Sequence, residues 1–399
     1  MHYLNILFWV FFYKILSHII PKDEHSIVFG SWKGELYADN SRYLAEYIDK
    51  HYPEYKLYWV GNKTVEKEIA KYNHNIRFLE KGKFLTSLKV MRCKYCFVSQ
   101  KYHIDISKYS LSDGAIICYL HHGTPIKKWG DDGLNKKHSE TRFDKTYDFI
   151  TSKVVNYDYY ASSSPLNSEV LCTAMKSCGC NKDKIIPSGT PRNDMLVKYD
   201  PQRALEYKSL YSAHLGITGS PVVIMYLPTY RRLDNGTFTF SELTEDQYAA
   251  IDKLLKKHNA ILIEKSHFVG KESGERKNSD RIFFADKSVN VQEMLMFTDV
   301  LISDYSGAFL DFSLLDRPII HFVYDYEFYR DQDSGLYYDI SDFHAGAIAK
   351  DFNELCLTLS DALDGKDGYA DRRRYVRNKY MEYEKGNASQ NLFETIIKR

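Results

Sequence analysis

A chain of 399 residues is long enough for two domains of ordinary size, and 54 Lys plus Arg against 53 Asp plus Glu leave no net field to attract nucleic acid. Aromatic residues make up 15% of the chain, with 33 Tyr and 22 Phe, which predicts large buried faces and is compatible with a membrane-facing surface. The seven cysteines are scattered and read as reduced, cytosolic thiols. Cys93, Cys96, Cys178 and Cys180 have no His or Cys pair at finger spacing nearby, so no metal is expected.

Residues 3 to 20 form the most apolar segment. No basic region precedes it and no small-residue cleavage site follows it, so it is not a secretory signal. The uninterrupted apolar run from Ile6 to Tyr13 is eight residues, short for a spanning helix. Lys14, Ser17 and His18 share one helical face, while Trp9, Tyr13 and the Phe residues suit an interface. Residues 1–20 are therefore expected to lie as an amphipathic helix on the cytoplasmic face of the membrane; a buried core helix and a single span are the alternatives.

After Pro21 the chain alternates strand and helix. Strands are expected at Ser26 to Gly30, Tyr55 to Val60, Ile76 to Leu79, Tyr95 to Ser99, Ala115 to Leu120 and Phe149 to Ser152, with helices at Ser41 to His51 and Phe84 to Arg92. The pattern restarts at Pro221 to Leu227 and continues through helix 245–257 and strands Ala260 to Glu264 and Arg281 to Ala285. Val300 to Ile302, a helix from Ala308 to Leu315 and Ile319 to Phe322 then form a βαβ unit. Near-continuous apolar strands between helices indicate parallel sheets covered on both faces. The predicted organisation is an N-terminal Rossmann-like domain over residues 21–205, a second over 206–370, a cleft between them, and C-terminal helices over 371–399 that return toward the first domain.

Four polar clusters each follow directly on an apolar strand: His121-His122-Gly123-Thr124-Pro125, Pro228-Thr229-Tyr230-Arg231-Arg232, Lys265-Ser266-His267 and Ser303-Asp304-Tyr305-Ser306. Open α/β sheets bind ligands at the carboxyl ends of their strands. The content suits phosphate chemistry: His as a base or anion donor, Lys and Arg as counter-charge, Ser and Thr as donors to oxygens. Read alone, Ser303 or Asp304 is equally well an ordinary helix N-cap. The chain has no Gly-x-x-x-x-Gly-Lys-Ser/Thr loop, no Gly-x-Gly-x-x-Gly, no His-Glu-x-x-His and no Gly-x-Ser-x-Gly, which disfavours P-loop NTP use, NAD enzymes, zinc hydrolysis and serine esterases.

Taken together, the motifs carry a resemblance. His122-Gly123-Thr124-Pro125 with Lys127, Gly189 through Asp194, Pro228-Thr229, Lys265-Ser266-His267, Ile302 through Ser306, Asp311-Phe312, Arg317-Pro318-Ile319, Tyr324-Asp325-Tyr326 and Gly386 through Ser389 occur in that order. Over about residues 24 to 395 the chain resembles the CDP-glycerol glycerophosphotransferase family, the teichoic-acid primases and polymerases. The resemblance implies a GT-B fold and transfer of glycerol phosphate, or ribitol phosphate, from CDP-glycerol or CDP-ribitol. The implied acceptor is a polyprenyl-diphosphate-linked saccharide or growing polymer of teichoic acid, capsule or another cell-surface polymer at the inner membrane face, with no cofactor.

By the same resemblance His122 is the general base, and His267 stabilises the diphosphate and the CMP leaving group with Lys265 nearby. Gly123 and Thr124 let backbone approach the phosphates, and Ser303, Asp304 and Ser306 hold the donor. Arg192, Asn193, Thr229 and Arg231 are further donor-binding candidates. The chain departs from the family pattern in two places. His121 stands where many members carry an apolar residue, so a shifted register would make it the base, and Gly307 replaces a second serine. Long family members carry an additional amino-terminal module not found in this sequence, which points toward a primase or short-chain transferase. A GT-B glycosyltransferase using a nucleotide sugar is the alternative function, and an inactive membrane-bound scaffold is a third.

Overall fold

Apolar runs without polar alternation become strands buried on both faces. Lys56–Gly61 is buried from its second residue onward and Ala260–Glu264 throughout. The computed structural model describes residues 2–72, 75–107, 113–133, 155–229, 231, 236–265, 279–286 and 289–398, with side chains from Phe8 onward. It divides into two units. The first comprises Met1–His122, Lys136–Asp194 and Tyr383–Arg399; the second comprises Gly123–Asn135 and Met195–Glu382.

The described strands of the first unit are β1 (Asp23–Gly30), β2 (Lys56–Gly61), β3 (Arg77–Glu80), β4 (Cys93–Val98), β5 (Ile116–Tyr119), β6 (Tyr159–Ala161) and β7 (Ile185–Ile186). They form one parallel sheet in the order β3-β2-β1-β4-β5-β6-β7. Phe29 stacks between Trp59 and Phe97 in its core. Helix Ala388–Ile396 adds Leu392, Phe393 and Ile396 to that core, and Phe393 stacks on Tyr52 at 3.8 Å. Each fully buried side chain of this size contributes roughly 1.5–3 kcal/mol.

The second unit has β8 (Val222–Leu227), β9 (Ala260–Glu264), β10 (Ile282–Phe284), β11 (Val300–Ser303), β12 (Ile319–Phe322) and β13 (Ala347–Ala349), all parallel, in the order β10-β9-β8-β11-β12-β13. Counted within the unit this is 3-2-1-4-5-6, the doubly wound Rossmann order. The first unit follows the same order and extends it by one strand. Both sheets therefore reverse direction beside their first strand, between β1 and β4 and between β8 and β11. Local signals fix the helices around them. Thr244 and Gln247 close a reciprocal capping box on helix Glu245–Lys257. Helix Pro201–Leu215 is capped by Asp200, begins on Pro201 and ends at Gly216 with φ 75°.

Two Rossmann-like α/β units stand as the sequence predicts, with different borders. The expected seam at 205/206 lies at Asp194/Met195, and residues 123–135 join the second unit. Helix Ala370–Tyr380 also belongs to the second unit, where Arg373 pairs with Asp316 and Asp367, and Arg377 with Asp316. Only Tyr383 onward returns to the first. Strands β6, β7 and β13 have two or three residues each, too few for a readable period. The strand expected at Phe149 to Ser152 lies outside the described residues.

Helix His2–Ile19 buries one polar side chain and leaves Lys14 and His18 exposed. Ser17 is buried and its Oγ accepts the Asp113 N–H at 2.6 Å, while His18 pairs with Asp113 at 3.4 Å. Tyr13 is buried against Phe84. Phe8, Phe11, Ile15 and Ile19, spaced three and four residues apart, are 43–70% exposed. Among the described residues no helix is long and apolar enough to cross a membrane.

Candidate active site

The second unit's site grows from the reversal point between β8 and β11. Both strands end there in short polar turns. Asp304, fully buried at the end of β11, accepts the Thr229 N–H through both oxygens at 3.0 Å, the Thr229 hydroxyl at 2.6 Å and the Tyr305 N–H at 2.7 Å. Arg231 donates to Asp304 at 2.9 Å and makes a forked pair with Asp325 at 2.6 and 3.0 Å. Its guanidinium lies 4.8–5.4 Å from the Tyr305, Tyr324 and Tyr329 ring centres. Burial opposes the Arg231 charge, but Asp304 and Asp325 outweigh it and raise its pKa. A buried ion pair needs such additional hydrogen bonds and rings to offset its desolvation. The cluster is a rigid floor linking the ends of β8, β11 and β12.

Neither Ser303 nor Asp304 caps the following helix, Ala308–Ser313; its N-cap is Gly307. Ser303 Oγ donates to the Leu227 carbonyl at 3.2 Å and so bridges β11 to β8. Ser306 is half-buried and its Oγ accepts the Ala308 N–H at 3.3 Å, which leaves its O–H as a donor. Gly307 lies so close to residue 124 that a Cβ on it would stand 2.6 Å from the Thr124 carbonyl oxygen. Thr124 and Ser306 are thereby brought together within one unit. The segment after Thr124 is tied down by an antiparallel bridge of Lys127 to Leu336, a bond from the Tyr337 N–H to the Ile126 carbonyl at 2.9 Å, and the Tyr337 hydroxyl on Asp132 at 2.7 Å.

In the first unit β5 runs into His121 and His122. His121 is 3% exposed and takes φ 60°, in the left-handed region that side chains resist. Gly123 follows at φ 136°, a value suited to glycine. His122 is half-buried, with Trp32 edge-on to its ring at 6.2 Å and His121 at 4.4 Å. Trp32, Lys33 and Asp39 also have positive φ (45°, 60° and 66°), so four of the six such non-glycine residues among those described gather at this corner. Strain of this kind persists where surroundings over-determine it. Here Asp105 holds the Lys33 and Gln100 N–H groups at 3.1 and 2.6 Å.

Arg192 and Asn193 belong to the first unit. Arg192 Nη1 donates to the His122 carbonyl at 2.6 Å and to Asp39 at 3.1 Å. Asn193 is buried and donates to Thr190 Oγ1 at 2.9 Å; Thr190 in turn donates its hydroxyl to Glu384 at 2.7 Å. Asp194 accepts the Ala388 and Ser389 N–H groups at the start of the C-terminal helix. Residues 189–194 thus bind the chain's C-terminal segment to the His122 turn. Lys265 Nζ donates to the Asp286 carbonyl at 2.9 Å. His267 lies outside the described residues, as do Ser266, Tyr230 and Arg232. Among the described residues no group of three His, Cys, Asp or Glu side chains could hold a metal, and all seven cysteines are free thiols.

Comparison with known proteins bears on this arrangement. The family model for CDP-glycerol:poly(glycerophosphate) glycerophosphotransferases matches residues 12–398. The chain belongs to this glycerophosphotransferase family. The teichoic acid glycerol-phosphate transferase of Staphylococcus aureus is 27% identical over 389 residues, covering 97% of this chain and 96% of that protein. The teichoic acid ribitol-phosphate primase of Bacillus spizizenii is 22% identical over 390 residues, 96% of this chain and 94% of that protein. The chain spans about half of the Bacillus subtilis teichoic acid poly(glycerol phosphate) polymerase, 27% identical over 392 residues. The solved wall teichoic acid polymerase TagF shares the fold with a TM-score of 0.77 at 21% identity, over all of this chain and 96% of that one. A UDP-GlcNAc 2-epimerase from Neisseria meningitidis, at TM-score 0.54 and 12% identity over 94% of this chain and 99% of that one, shares the fold alone.

The family's strand-end motifs are recognisable in sequence, but several anchoring residues are not. Asp39 and Asn40 look like the polar start of a helix, and Glu384 precedes a helix break without any marking pattern. Their partners across the unit are 81 to 194 positions away, a separation no local pattern encodes. Asp325 lies in a recognised motif, and its role emerges only with Arg231 beside it.

Proposed function

We propose that this chain transfers glycerol phosphate from CDP-glycerol to a hydroxyl of a lipid-linked saccharide or growing teichoic-acid-type polymer, releasing CMP. The observation that carries the reading is the Thr229–Arg231–Asp304 floor at the strand-order reversal of the second unit, the place where sheets of this order receive nucleotides. Ser306 and the Thr124 backbone beside it donate to the donor's diphosphate. Asp304, its oxygens occupied by Thr229, Arg231 and the Tyr305 N–H, shapes this surface rather than bonding a sugar.

The reaction breaks the bond between the β-phosphorus and the bridging oxygen of CDP-glycerol and forms a phosphodiester to the acceptor oxygen. His122 takes the acceptor hydroxyl's proton as that oxygen attacks, and CMP departs with the bridging oxygen. His122 suits the base role better than His121, which is 3% exposed beneath it. Lys265 and His267 offset the charge that develops on CMP. Among matches that span the whole chain, the 27% identity to the glycerol-phosphate transferase against 22% to the ribitol-phosphate primase favours glycerol. The exposed Phe8, Phe11, Ile15 and Ile19 support seating of helix His2–Ile19 in the cytoplasmic leaflet, where a lipid-linked acceptor is met.

Nucleotide release from CDP-glycerol, CDP-ribitol and UDP-sugars, each with a lipid-linked disaccharide, tests the assignment. CMP from CDP-glycerol is expected, and its loss by at least a hundredfold in His122→Ala with CDP-glycerol binding retained. Turnover of UDP-sugars alone would replace the reading with glycosyl transfer.

A further inference from the structure

After β1 the chain makes a costly turn. Trp32, Lys33 and Gly34 follow one another at φ 45°, 60° and 79°, three left-handed residues of which only the last is glycine. A tryptophan resists that conformation, which persists only where the surroundings over-determine it. Here Asp105 Oδ1 holds the Lys33 N–H at 3.1 Å, and the Lys33 carbonyl accepts Lys81 Nζ at 2.7 Å. The Gly34 carbonyl accepts the Asn62 N–H at 2.6 Å, and a Cβ on Gly34 would stand 3.2 Å from Gly61 Cα. The ends of β2 and β3 and helix Tyr102–Asp105 thus clamp the turn.

What the clamped turn carries is the Trp32 ring. It is half-buried beside the half-buried His122, with ring centres 6.2 Å apart and planes at 65°. Burial raises the pKa of the Asp39 carboxyl, and the Trp32 indole N–H is one of the donors that pull it back down. That N–H is the side chain's only donor. Turned toward a buried acid, it leaves apolar carbon as the part of the ring open to solvent. A rigid apolar plate next to the base suits one class of acceptor. A pyranose presents a face of C–H groups that packs on an indole, whereas the glycerol phosphate end of a growing chain is open, charged and well hydrated and has no such face. Tryptophan also offers its area at low cost in side-chain entropy, the more so where its backbone is already fixed.

We propose that Trp32 is an acceptor platform: the sugar ring that bears the attacking hydroxyl packs on the indole, which sets that hydroxyl against His122. The platform selects a lipid-linked saccharide over a chain end that already carries glycerol phosphate. The proposal rests on the glycerophosphotransferase reading with His122 as the base. It makes this chain one that adds the first polyol phosphate to a saccharide rather than one that extends a polymer.

The test compares wild type, Trp32→Gly and Trp32→Phe on two acceptors, a short-chain lipid diphosphate disaccharide and the same molecule already capped with glycerol phosphate. CMP release gives kcat and KM for each acceptor and for CDP-glycerol, and calorimetry with the uncapped acceptor and no donor reads binding alone. Glycine removes the ring while accepting the left-handed backbone, so the turn is kept, and the thermal midpoint checks this. Phenylalanine restores a plate. Wild type should favour the uncapped acceptor by about tenfold in kcat/KM. Trp32→Gly should raise the KM for the uncapped acceptor and weaken its binding, each about tenfold, with the CDP-glycerol KM within about twofold of wild type. Trp32→Phe should bind the disaccharide at least about threefold better than Trp32→Gly. Losses of equal size on both acceptors, with disaccharide binding intact, would make Trp32 a support of the His122 ring and overturn the proposal. So would a wild-type preference for the capped acceptor, or a phenylalanine variant no better than the glycine one. Absence of CMP from CDP-glycerol with either acceptor in wild type would sink the underlying reading and the proposal with it, an outcome distinct from all of these.

Discussion

Gly307 shows how one atom can decide a local arrangement. Its φ is ordinary at −60°, so the backbone does not call for glycine; the constraint is the Thr124 carbonyl oxygen 2.6 Å from where a Cβ would stand. Gly307→Ser must push the Thr124 backbone away. We expect it to cost about 1–3 kcal/mol in urea unfolding and to raise the KM for CDP-glycerol, because Ser306 and Thr124 would part. Unchanged KM with intact stability would count against their joint role at the donor. Asp304 makes a second test at this scale. Asp304→Asn removes the charge that pairs with buried Arg231 and leaves Asp325 as its carboxylate partner, so stability should fall by about 3–5 kcal/mol. A loss of activity without any loss of stability would instead make Asp304 a direct donor ligand.

At the scale of elements, what could be read from sequence separates sharply from what could not. Helices Phe84–Arg92 and Glu245–Lys257 and strands β9 and β12 have the bounds their patterns predict, because each is set by local signals: a capping box, a turn residue, a continuous apolar run. Helix Ala370–Tyr380 groups with the second unit, whereas the sequence reading expects residues 371–399 to return toward the first. In the fold Arg373 is 3% exposed between Asp316 and Asp367, and Arg372 bonds the His344 carbonyl. The proposed membrane contact through helix His2–Ile19 is tested on its exposed apolar residues. Phe11→Ser with Ile15→Ser should reduce sedimentation with anionic liposomes at least fivefold while CMP release from a water-soluble acceptor analogue is kept. Equal sedimentation of variant and wild type would remove the helix from the membrane account. For the site, the strand-end positions of His121, Thr229, Lys265 and Ser303 were legible because parallel strands end in such turns. The clamps on them were not, since Arg192 meets His122 only after the fold brings residues 70 positions apart together.

For the whole molecule, the two units share a strand order, and one buried group in each contributes an opposite dependence on pH. In the first, burial pushes the Asp105 carboxyl up to about 7, against the pull of the Gln100 and Lys33 N–H groups. The folded state then holds a proton that the unfolded chain has released, so this unit loses stability as pH rises from about 4 to about 7. In the second, burial pushes His321 down to about 3, and its Nε2 accepts the Ala345 N–H at 2.9 Å. There the unfolded chain takes up the proton first, so stability is full above about 6.5 and lost as pH falls toward 3. Each slope is about 1.4 kcal/mol per pH unit at most. Hydrogen exchange resolved by unit should show protection in β11 and β12 falling on acidification while that around β1 and β4 rises. His321→Phe should flatten the acid response of the second unit at a cost of about 1–3 kcal/mol at neutral pH, from the Ala345 N–H left without its acceptor. Parallel behaviour of both units would contradict the assignment of these two groups.

The central claim is that the acceptor oxygen attacks phosphorus, and the leaving nucleotide reports it directly. With CDP-glycerol and a lipid-linked disaccharide, chromatography of the nucleotide product and mass spectrometry of the lipid product should show CMP and an acceptor heavier by one glycerol phosphate or more. Release of CDP, with an acceptor heavier by glycerol alone, would mean attack at carbon and contradict the account.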